Sequence, residues 1–283
     1  MPPKLDRLLR KLVPSTAILS RSAPGALALA ATDLVARPLL RVFTSRPVPP
    51  LRYIVRTGVS NSIFFPHDYY LTSSGNTWMY FFATGAARLD STIVDIGSGV
   101  GRTAVALRDF HYHGVKFTGT YHGFDVDRDM VEWCSRNFPG DRFRFHWVDA
   151  GSTVYNPGGV RDLHPALSVE SGSVDLVYSH SLFSHLLEDD IQAYLAEGYR
   201  VLRPGGVLLM TFFCLEDMEE LQLLGGRWTF RHTVGAARVE NQKYPESAVA
   251  YPREWMMEAA RRQGFSSVEV ILPAHQSTLR CVK

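Results

Sequence analysis

The stretch that most constrains this chain is Val94-Asp95-Ile96-Gly97-Ser98-Gly99-Val100-Gly101-Arg102, where glycine takes every second position after a short apolar run. The run at 92–96 predicts a buried strand, and the apolar spacing after the glycines predicts a helix. A strand, a Gly-rich turn and a helix in this order are typical of an open α/β sheet that binds an adenosine-containing ligand at a strand's carboxyl end. Glycine suits such a turn because a side chain would keep the ligand away from the backbone.

The spacing of the glycines separates two kinds of cofactor. The dinucleotide fingerprint places its third glycine three residues after the second. Here that position holds Arg102, and the third glycine, Gly101, comes one residue earlier. The pattern therefore disfavours a nicotinamide dinucleotide and leaves other adenosine-type ligands.

Strands and helices alternate along the chain after residue 90, which predicts an α/β fold with a mostly parallel, doubly wound sheet. We expect strands near 92–96, 119–125, 143–148, 174–178, 206–213, 267–272 and 278–282, and helices near 101–110, 127–138, 188–202 and 252–263. A stretch at 215–252 interrupts this alternation. Because long ordered loops at the carboxyl side of such sheets often carry function, we expect it to form a lid or a substrate wall.

The N-terminal segment differs in charge from the rest of the chain. Residues 1–46 hold eight Lys and Arg against two Asp, a net charge of +6, whereas the whole chain carries +2. We expect a basic helical extension over residues 1–50, with helices at 4–12 and 26–43, the second weakened by Pro38. Residues 51–283 then form the main domain.

Three roles for this extension stay open from the sequence: a cap helix packed on the main domain, a peripheral contact with anionic lipid, or an organelle transit segment. The apolar run at 25–35 is too short to span a bilayer and contains Asp33. Three scattered cysteines indicate no disulfide framework, which fits a reducing compartment. We therefore expect a cytoplasmic location, with the inner face of the membrane as the alternative.

Acidic residues follow two of the predicted strands. Asp125 ends the second strand and can accept hydrogen bonds from ribose hydroxyls, while Asp127 is expected to cap the next helix. Asp149 and Ala150 end the third strand, where a carboxylate and backbone groups can meet an adenine ring. Val126 is expected to pack on the adenine face.

Five motifs occur in the order of one known family. They are Gly-x-Gly-x-Gly at 97–101 preceded by Asp95, Gly-Phe-Asp at 123–125, Val-Asp-Ala at 148–150, Val-Asp-Leu-Val at 174–177 and Arg-Val-Leu-Arg-Pro-Gly-Gly at 200–206. Together they resemble a class I S-adenosylmethionine-dependent methyltransferase over residues 90–283. Ser98 stands where this family frequently has cysteine.

The resemblance implies a Rossmann-like, seven-stranded sheet that ends in an antiparallel hairpin and binds S-adenosylmethionine, with S-adenosylhomocysteine as product. It implies that the cofactor is bound by Asp95, Gly97, Ser98, Gly99, Gly101, Asp125, Val126, Asp149 and Ala150, with Ser179 facing the reacting methyl. It also implies that one of the residues 67–70 folds over the cofactor.

Finer features are similar to a bacterial subgroup that modifies sugars or glycolipids. They are Trp133-Cys134 and the segments 155–159, 181–186 and 245–251. The sequence thus predicts O-methylation of a glycan, a glycolipid or a related metabolite. The alternatives are N- or C-methylation of a natural product and a catalytically silent cofactor-binding scaffold. Nucleic acid is disfavoured as the acceptor, because no Asn/Asp-Pro-Pro-Tyr/Phe signature follows the fourth strand.

A hydroxyl acceptor needs a base, and two histidines near the fourth strand are candidates. His180 and His185 can each take a proton near neutral pH, or can order the loop that carries them. Asp189 and Asp190 are expected to favour the start of the next helix. No His, Asp or Glu set has metal-ligand spacing, so we expect no metal.

Overall fold

Strands and helices alternate from residue 92 onward in the structure, a computed structural model that describes residues 22–57, 75–152, 155–156, 158–160, 166–225 and 228–283. The helices are α1 Ala23–Phe43, α2 Leu51–Ile54, α3 Gly75–Ala83, α4 Arg102–Arg108, α5 Arg128–Asn137, α6 Glu188–Val201, α7 Leu215–Glu220 and α8 Arg253–Arg261. The strands are β1 Thr92–Ile96, β2 His111–Tyr112, β3 Val115–Lys116, β4 Thr120–Asp125, β5 Phe143–Trp147, β6 Val174–Ser179, β7 Leu202–Cys214, β8 His232–Val234, β9 Ala237–Val239, β10 Val249–Tyr251, β11 Ser267–Ile271 and β12 Ser277–Val282.

The main sheet has the order β5-β4-β1-β6-β7, with every neighbouring pair parallel. β12 then pairs antiparallel with β7, and β11 pairs antiparallel with β12. The predicted doubly wound sheet with its terminal antiparallel hairpin is therefore confirmed. The strand order reverses beside β1, and open α/β sheets bind ligands in the crevice at such a point.

Apolar side chains cover both faces of the sheet and bury it between helices. One face packs against α3, α4 and α5 through residues such as Trp78, Leu107 and Trp133, and the other against α6 and α8 through Leu195 and Met256. A strand that is covered on both faces must be apolar on both, which explains the continuous apolar runs of β1 and β6.

The stretch at 215–252 is not an irregular loop. It forms α7, β8, β9 and β10, and β10 lies parallel to the end of β7 with Ala250 opposite Phe213. β9 and β8 follow as antiparallel neighbours, so the stretch lengthens the sheet at its carboxyl edge. The sequence interpretation missed these three-residue strands because each is shorter than a period-2 pattern can reveal.

The N-terminal extension forms a single long helix over the described residues. Ser22 caps α1 by accepting from the Gly25 backbone N–H at 3.2 Å, and the helix continues through Pro38. The sequence predicted that Pro38 weakens this helix, but the helix has no break at Pro38. Pro38 has no backbone N–H to donate to the Leu34 carbonyl. Leu34 lies on the exposed side of the helix, where water can donate to that carbonyl instead. The predicted helix at 4–12 lies outside the described residues.

None of the helices in the described ranges has both the length and the apolar composition needed to cross a membrane. α1 has the length, but Asp33, Arg37 and Arg41 interrupt its apolar sequence.

A buried carboxylate ties the added segment to the sheet. The side chain of Asp217 is fully buried, where it forms an ion pair with Arg253 and accepts from the Ser277 hydroxyl at 2.5 Å. These bonds join α7, α8 and the start of β12. Removing the carboxylate would leave the Ser277 hydroxyl and Arg253 Nη2 without the acceptor that they share.

We expect Asp217→Ala to lower the free energy of unfolding by about 2 kcal/mol, less than for a fully buried pair because Arg253 stays partly hydrated. Urea unfolding followed by circular dichroism measures the change. Glu219→Ala, on the exposed side of the same helix, is the matched control and should change stability by less than about 0.5 kcal/mol. Equal stability of the two variants would contradict the role of this ion pair.

Candidate cofactor and acceptor site

The turn between β1 and α4 takes a backbone path that only glycine adopts easily. Gly97, Gly99 and Gly101 have φ angles of 81°, 53° and 71°, all in the left-handed region. A Cβ on Gly99 would lie 3.1 Å from Thr57 Cγ2, and one on Gly101 would lie 3.0 Å from the Phe138 ring. The alternating glycines are therefore required by conformation and by close packing, and they leave the backbone bare at the strand end.

Hydrogen bonds fix this turn to the end of β4. The N–H groups of Gly97 and Ser98 donate to the Phe124 carbonyl at 2.8 and 3.0 Å. The Gly99 N–H donates to Asp125 Oδ2 at 2.7 Å, and the Asp127 N–H donates to Oδ1 of the same carboxylate at 2.8 Å. The structure thus brings Asp125 against the glycine turn.

The environment of Asp125 disfavours its charge. Burial raises the pKa of this carboxyl to about 6, and the two backbone N–H donors offset only part of that effect. Asp127 caps α5 by accepting from the Met130 N–H, so the predicted division of roles between the two acids is confirmed for Asp127.

The end of β5 lies beside Asp125 on the same edge. The Val148 N–H donates to the Asp125 carbonyl at 3.0 Å. Asn156 Nδ2 donates to Asp149 Oδ1 at 3.2 Å and to the Ala150 carbonyl at 3.1 Å. The predicted adenine-binding residues therefore flank the predicted ribose acceptor, and Asn156 orders them.

Val126 follows Asp125 directly and belongs to the same edge. Its side chain is partly buried, and its carbonyl accepts from Trp147 Nε1 at 3.1 Å. The indole thereby fixes the backbone on which Val126 is carried.

Asp95 lies beneath the turn. Its Oδ2 accepts from the hydroxyls of Thr103 and Tyr121 at 2.5 Å each, and burial raises its pKa. These bonds hold the first turn of α4 against β4. The observed contacts of Asp95 are thus with the chain itself, and a direct bond to the cofactor stays a prediction.

Among the described residues, Ser98 Oγ and Ser179 Oγ are two buried hydroxyls near strand ends that have no hydrogen-bond partner. Ser98 Oγ lies over Gly123, 2.8 Å from where a Cβ on that glycine would be. Ser179 is completely buried at the end of β6. Buried polar atoms normally have partners, so these two mark a region where a polar ligand fits.

The residues at this edge fit S-adenosylmethionine. The turn carries no side chain at three positions, two acidic strand tips offer acceptors for hydroxyl and amino groups, and the hydroxyls of Ser98 and Ser179 lie just after β1 and at the end of the neighbouring strand β6.

An N-terminal segment that sequence reasoning missed closes one side of the site. The 3-10 turn Val55–Thr57 places Thr57 against Gly99, and Arg56 forms ion pairs with Asp127 at 3.0 Å and Asp129 at 3.1 Å. Arg56 is buried, and it is a single charge in an apolar stretch, so only its pairing partner shows its role. The predicted contact residues 67–70 lie outside the described residues.

The loop after β6 covers the opposite side. Leu182 lies over Gly97, with its Cβ 3.5 Å from where a Cβ on that glycine would be. Ser181 has a φ of 62°, and its N–H donates to Thr211 Oγ1 at 2.7 Å. Gln276 joins both residues, because it accepts from Thr211 and donates to Ser181 Oγ. This network fixes the backbone that carries His180.

The two candidate histidines have different surroundings. His180 is exposed, and within the described part of the chain its ring has no hydrogen-bond partner. His185 Nδ1 donates to the Glu246 carbonyl at 2.9 Å, which leaves Nε2 as the acceptor for the Tyr155 hydroxyl at 3.4 Å. Burial lowers the pKa of His185. The second histidine thus orders the loops around it.

Three segments that the sequence set apart meet at His185. Tyr155 comes from the first, His185 from the second and Glu246 from the third, and Ser152 Oγ adds a bond to Glu246 Oε2 at 2.9 Å. They form a polar wall beside β6. Across the described residues, no three His, Cys, Asp or Glu side chains are grouped as metal ligands.

A family model described as "Methyltransferase domain" matches residues 94–210, which run from β1 into β7 and contain the whole cofactor edge. Residues 94–210 are a class I methyltransferase domain. Its cofactor is S-adenosylmethionine, as the sequence predicted.

One curated relative of this methyltransferase domain is the arsenite methyltransferase of Aquipseudomonas alcaligenes, 28% identical over 116 residues. The match covers 41% of this chain and 31% of the relative, so the chain spans less than a third of that protein's length.

Solved structures similar to the chain include a SAM-dependent methyltransferase from Methanosarcina mazei, with a TM-score of 0.48, 13% identity and coverage of 71% of this chain and 96% of that one. Another is the 1,6-didemethyltoxoflavin-N1-methyltransferase of Burkholderia thailandensis with bound S-adenosylhomocysteine, with a TM-score of 0.47, 15% identity and coverage of 85% and 92%. Similarity at this level leaves the acceptor open.

We expect Asp125→Asn in this methyltransferase domain to weaken binding of S-adenosylhomocysteine about 10- to 100-fold, because a charged acceptor for ribose hydroxyls is lost. For the unmodified chain, affinity should fall as the pH drops through about 6, since Asp125 then takes up a proton. Titration calorimetry between pH 5 and 8 measures both effects.

Asp141→Asn is the matched control, because Asp141 is exposed and lies before β5, at the opposite end of that strand from Asp149. It should bind with nearly unchanged affinity. Two results would refute the assignment of Asp125 as the ribose acceptor. One is an affinity of Asp125→Asn equal to that of this control, and the other is an affinity of Asp125→Asn with the same pH dependence as that of the unmodified chain.

Proposed function

We propose that this chain transfers a methyl group from S-adenosylmethionine to a hydroxyl oxygen of a glycan, a glycolipid or a related metabolite. The observation that carries the proposal is His180, an exposed histidine directly after β6 whose ring has no partner in the described chain. A hydroxyl is a weak nucleophile until its proton is removed, and an unpartnered histidine at this strand end can accept that proton.

Different residues at this edge bind the cofactor, exclude water and accept the proton. The bound cofactor supplies an electrophilic methyl group on a sulfonium. The glycine turn and Asp125 hold its nucleoside, while Leu182 and Thr57 cover the turn and exclude water. His180 takes the acceptor proton on a ring nitrogen, on a backbone that Ser181, Thr211 and Gln276 hold in place.

His185 is proposed as a positioning residue. Its Nδ1 proton is committed to the Glu246 carbonyl, and its Nε2 accepts from Tyr155, so it fixes the polar wall beside the acceptor. This wall of hydroxyl, imidazole and carboxylate groups, with the Tyr155 ring, has the mixed polar and aromatic character that binds polyhydroxylated ligands.

Arsenite is disfavoured as the acceptor. A soft, thiophilic substrate calls for accessible thiolates. All three cysteines of the chain, Cys134, Cys214 and Cys281, are fully buried, and burial raises the pKa of each thiol.

The acceptor can be identified with S-adenosylmethionine that carries a tritiated methyl group. The protein is incubated with glycolipid, polysaccharide, protein and small-metabolite fractions from a strain that lacks its gene. We expect label in a sugar-containing fraction, in an ether linkage that survives mild base. Label recovered as N-methyl or C-methyl groups would contradict hydroxyl methylation, and no transfer to any fraction would favour a silent scaffold.

We expect His180→Gln to lower kcat about 100-fold while binding of S-adenosylhomocysteine stays unchanged. Although His180 keeps solvent contact, the surrounding protein removes much of the hydration of its ring, and this together with the charge of Arg102 lowers the pKa of His180 to about 4. The neutral, proton-accepting form therefore persists at acidic pH. The kcat of the unmodified enzyme should stay level from pH 8 to 6.5 and decline only at lower pH.

His111→Gln is the matched control, because His111 is exposed in β2 at the opposite end of the sheet. Its kcat should match that of the unmodified enzyme. A His180→Gln variant with full kcat, or with an unchanged acidic limb, would remove His180 as the base.

A further inference from the structure

α1 has its apolar and polar faces reversed relative to a helix that packs on a soluble domain. Six large apolar side chains point outward with exposed fractions between 57% and 85%: Leu27, Leu34, Val35, Leu39, Val42 and Phe43. At about 100° per residue they fall within about half of the helix circumference. Ala28, Ala31 and Pro38 lie in the same arc, and the hydroxyl of Thr32, which also lies there, donates to the Ala28 carbonyl at 3.0 Å.

Polar contacts set this orientation. Asp33 is the buried residue of the helix, and its two oxygens accept from the Leu51 N–H at 3.2 and 2.9 Å. Arg37 Nε donates to the Val48 carbonyl at 3.2 Å. Both contacts lie on the inner side of α1, so rotating the helix to bury its leucines would break them.

An apolar face of this extent marks a binding surface, because soluble proteins rarely expose so large a contiguous patch. We propose that the outward face of α1 docks on an anionic lipid bilayer, with the helix lying along the interface. This inference goes beyond the proposed function and does not depend on methyl transfer.

The positive charge of the N-terminal segment favours an anionic lipid bilayer as the partner of this face. Residues 1–46 carry +6, and exposed Arg41 lies at the border of the apolar face. An apolar face bordered by basic side chains fits the boundary between acyl chains and anionic headgroups. A second copy of the chain would bring two +6 segments together, which like-charge repulsion opposes. The charged residues within α1 also disfavour an orientation across the bilayer.

The residues that directly follow α1 in sequence contact the main domain and the cofactor edge. Arg46, just after α1, pairs with Asp109, and Arg56 pairs with Asp127. Thr57 then reaches the glycine turn. Contacts to the main domain therefore fix the segment that joins the proposed lipid-binding helix to the site.

Vesicle co-sedimentation with the full chain tests the proposal. The vesicles are phosphatidylglycerol mixed with phosphatidylcholine, compared with phosphatidylcholine alone. The face variant is Leu34→Glu with Val42→Glu, and the control is Leu272→Glu with Val115→Glu. The control replaces the same residue types at exposed positions elsewhere and changes the net charge equally. All four sites are exposed, and circular dichroism checks that each variant is folded.

We expect the unmodified chain and the control to pellet with anionic vesicles, the face variant to lose at least tenfold in vesicle affinity, and salt to weaken binding. The proposal is overturned if the unmodified chain does not pellet, if the face variant pellets equally, or if neutral vesicles bind as well as anionic ones. A dimer in sedimentation equilibrium that the face variant abolishes would assign the surface to a second copy instead.

Discussion

The site depends on one carboxylate that holds one backbone turn. Asp125 accepts from the Gly99 N–H, and that bond joins the end of β4 to a turn whose three glycines all have positive φ. No other residue type adopts this path at three alternate positions without strain. The same carboxylate is the acceptor expected for the cofactor ribose, and because each of its oxygens has two lone pairs, it can accept from a ribose hydroxyl while it keeps both backbone bonds. The raised pKa of Asp125 reflects this arrangement, since burial leaves the free carboxylate short of donors.

Sequence periodicity predicted the sheet well because its central strands are buried on both faces. β1 was predicted with its observed bounds, and the other core strands differ by a few residues at their ends. The strands of 215–252 escaped prediction because three residues carry no usable period, and α3 was not among the predicted helices. Asp125 and Asp149 were predicted as site residues because a strand end fixes where a side chain emerges, and their contacts with the cofactor stay predictions. Arg56, Thr57 and Leu182 were missed, since their roles arise from contacts distant in sequence.

The two histidines show how far chemistry can be assigned from residue type. Both follow β6 and both could serve as a base by composition. Only the tertiary contacts separate them: Glu246, 61 residues from His185 in sequence, occupies Nδ1 of that ring, whereas His180 keeps its ring nitrogens unoccupied by the described residues. A carbonyl can only accept, so it fixes the tautomer of His185 and with it the direction of the Tyr155 hydrogen bond. These contacts are the basis on which we propose a positioning role for His185 and the proton-accepting role for His180.

In the N-terminal helix α1 the large apolar side chains are exposed and an aspartate is buried, the reverse of the usual packing. Its apolar spacing alone predicts a helix packed on the main domain through its leucines, which was one of the three roles considered. The structure has the opposite packing: Asp33 is the buried residue of the helix and accepts from the Leu51 N–H, while Leu27, Leu34 and Leu39 face outward. The polar contacts of Asp33 and Arg37 thus accompany the exposed apolar face. A helix held in this way keeps its apolar surface available, and a partner can cover that surface without any rearrangement of the domain.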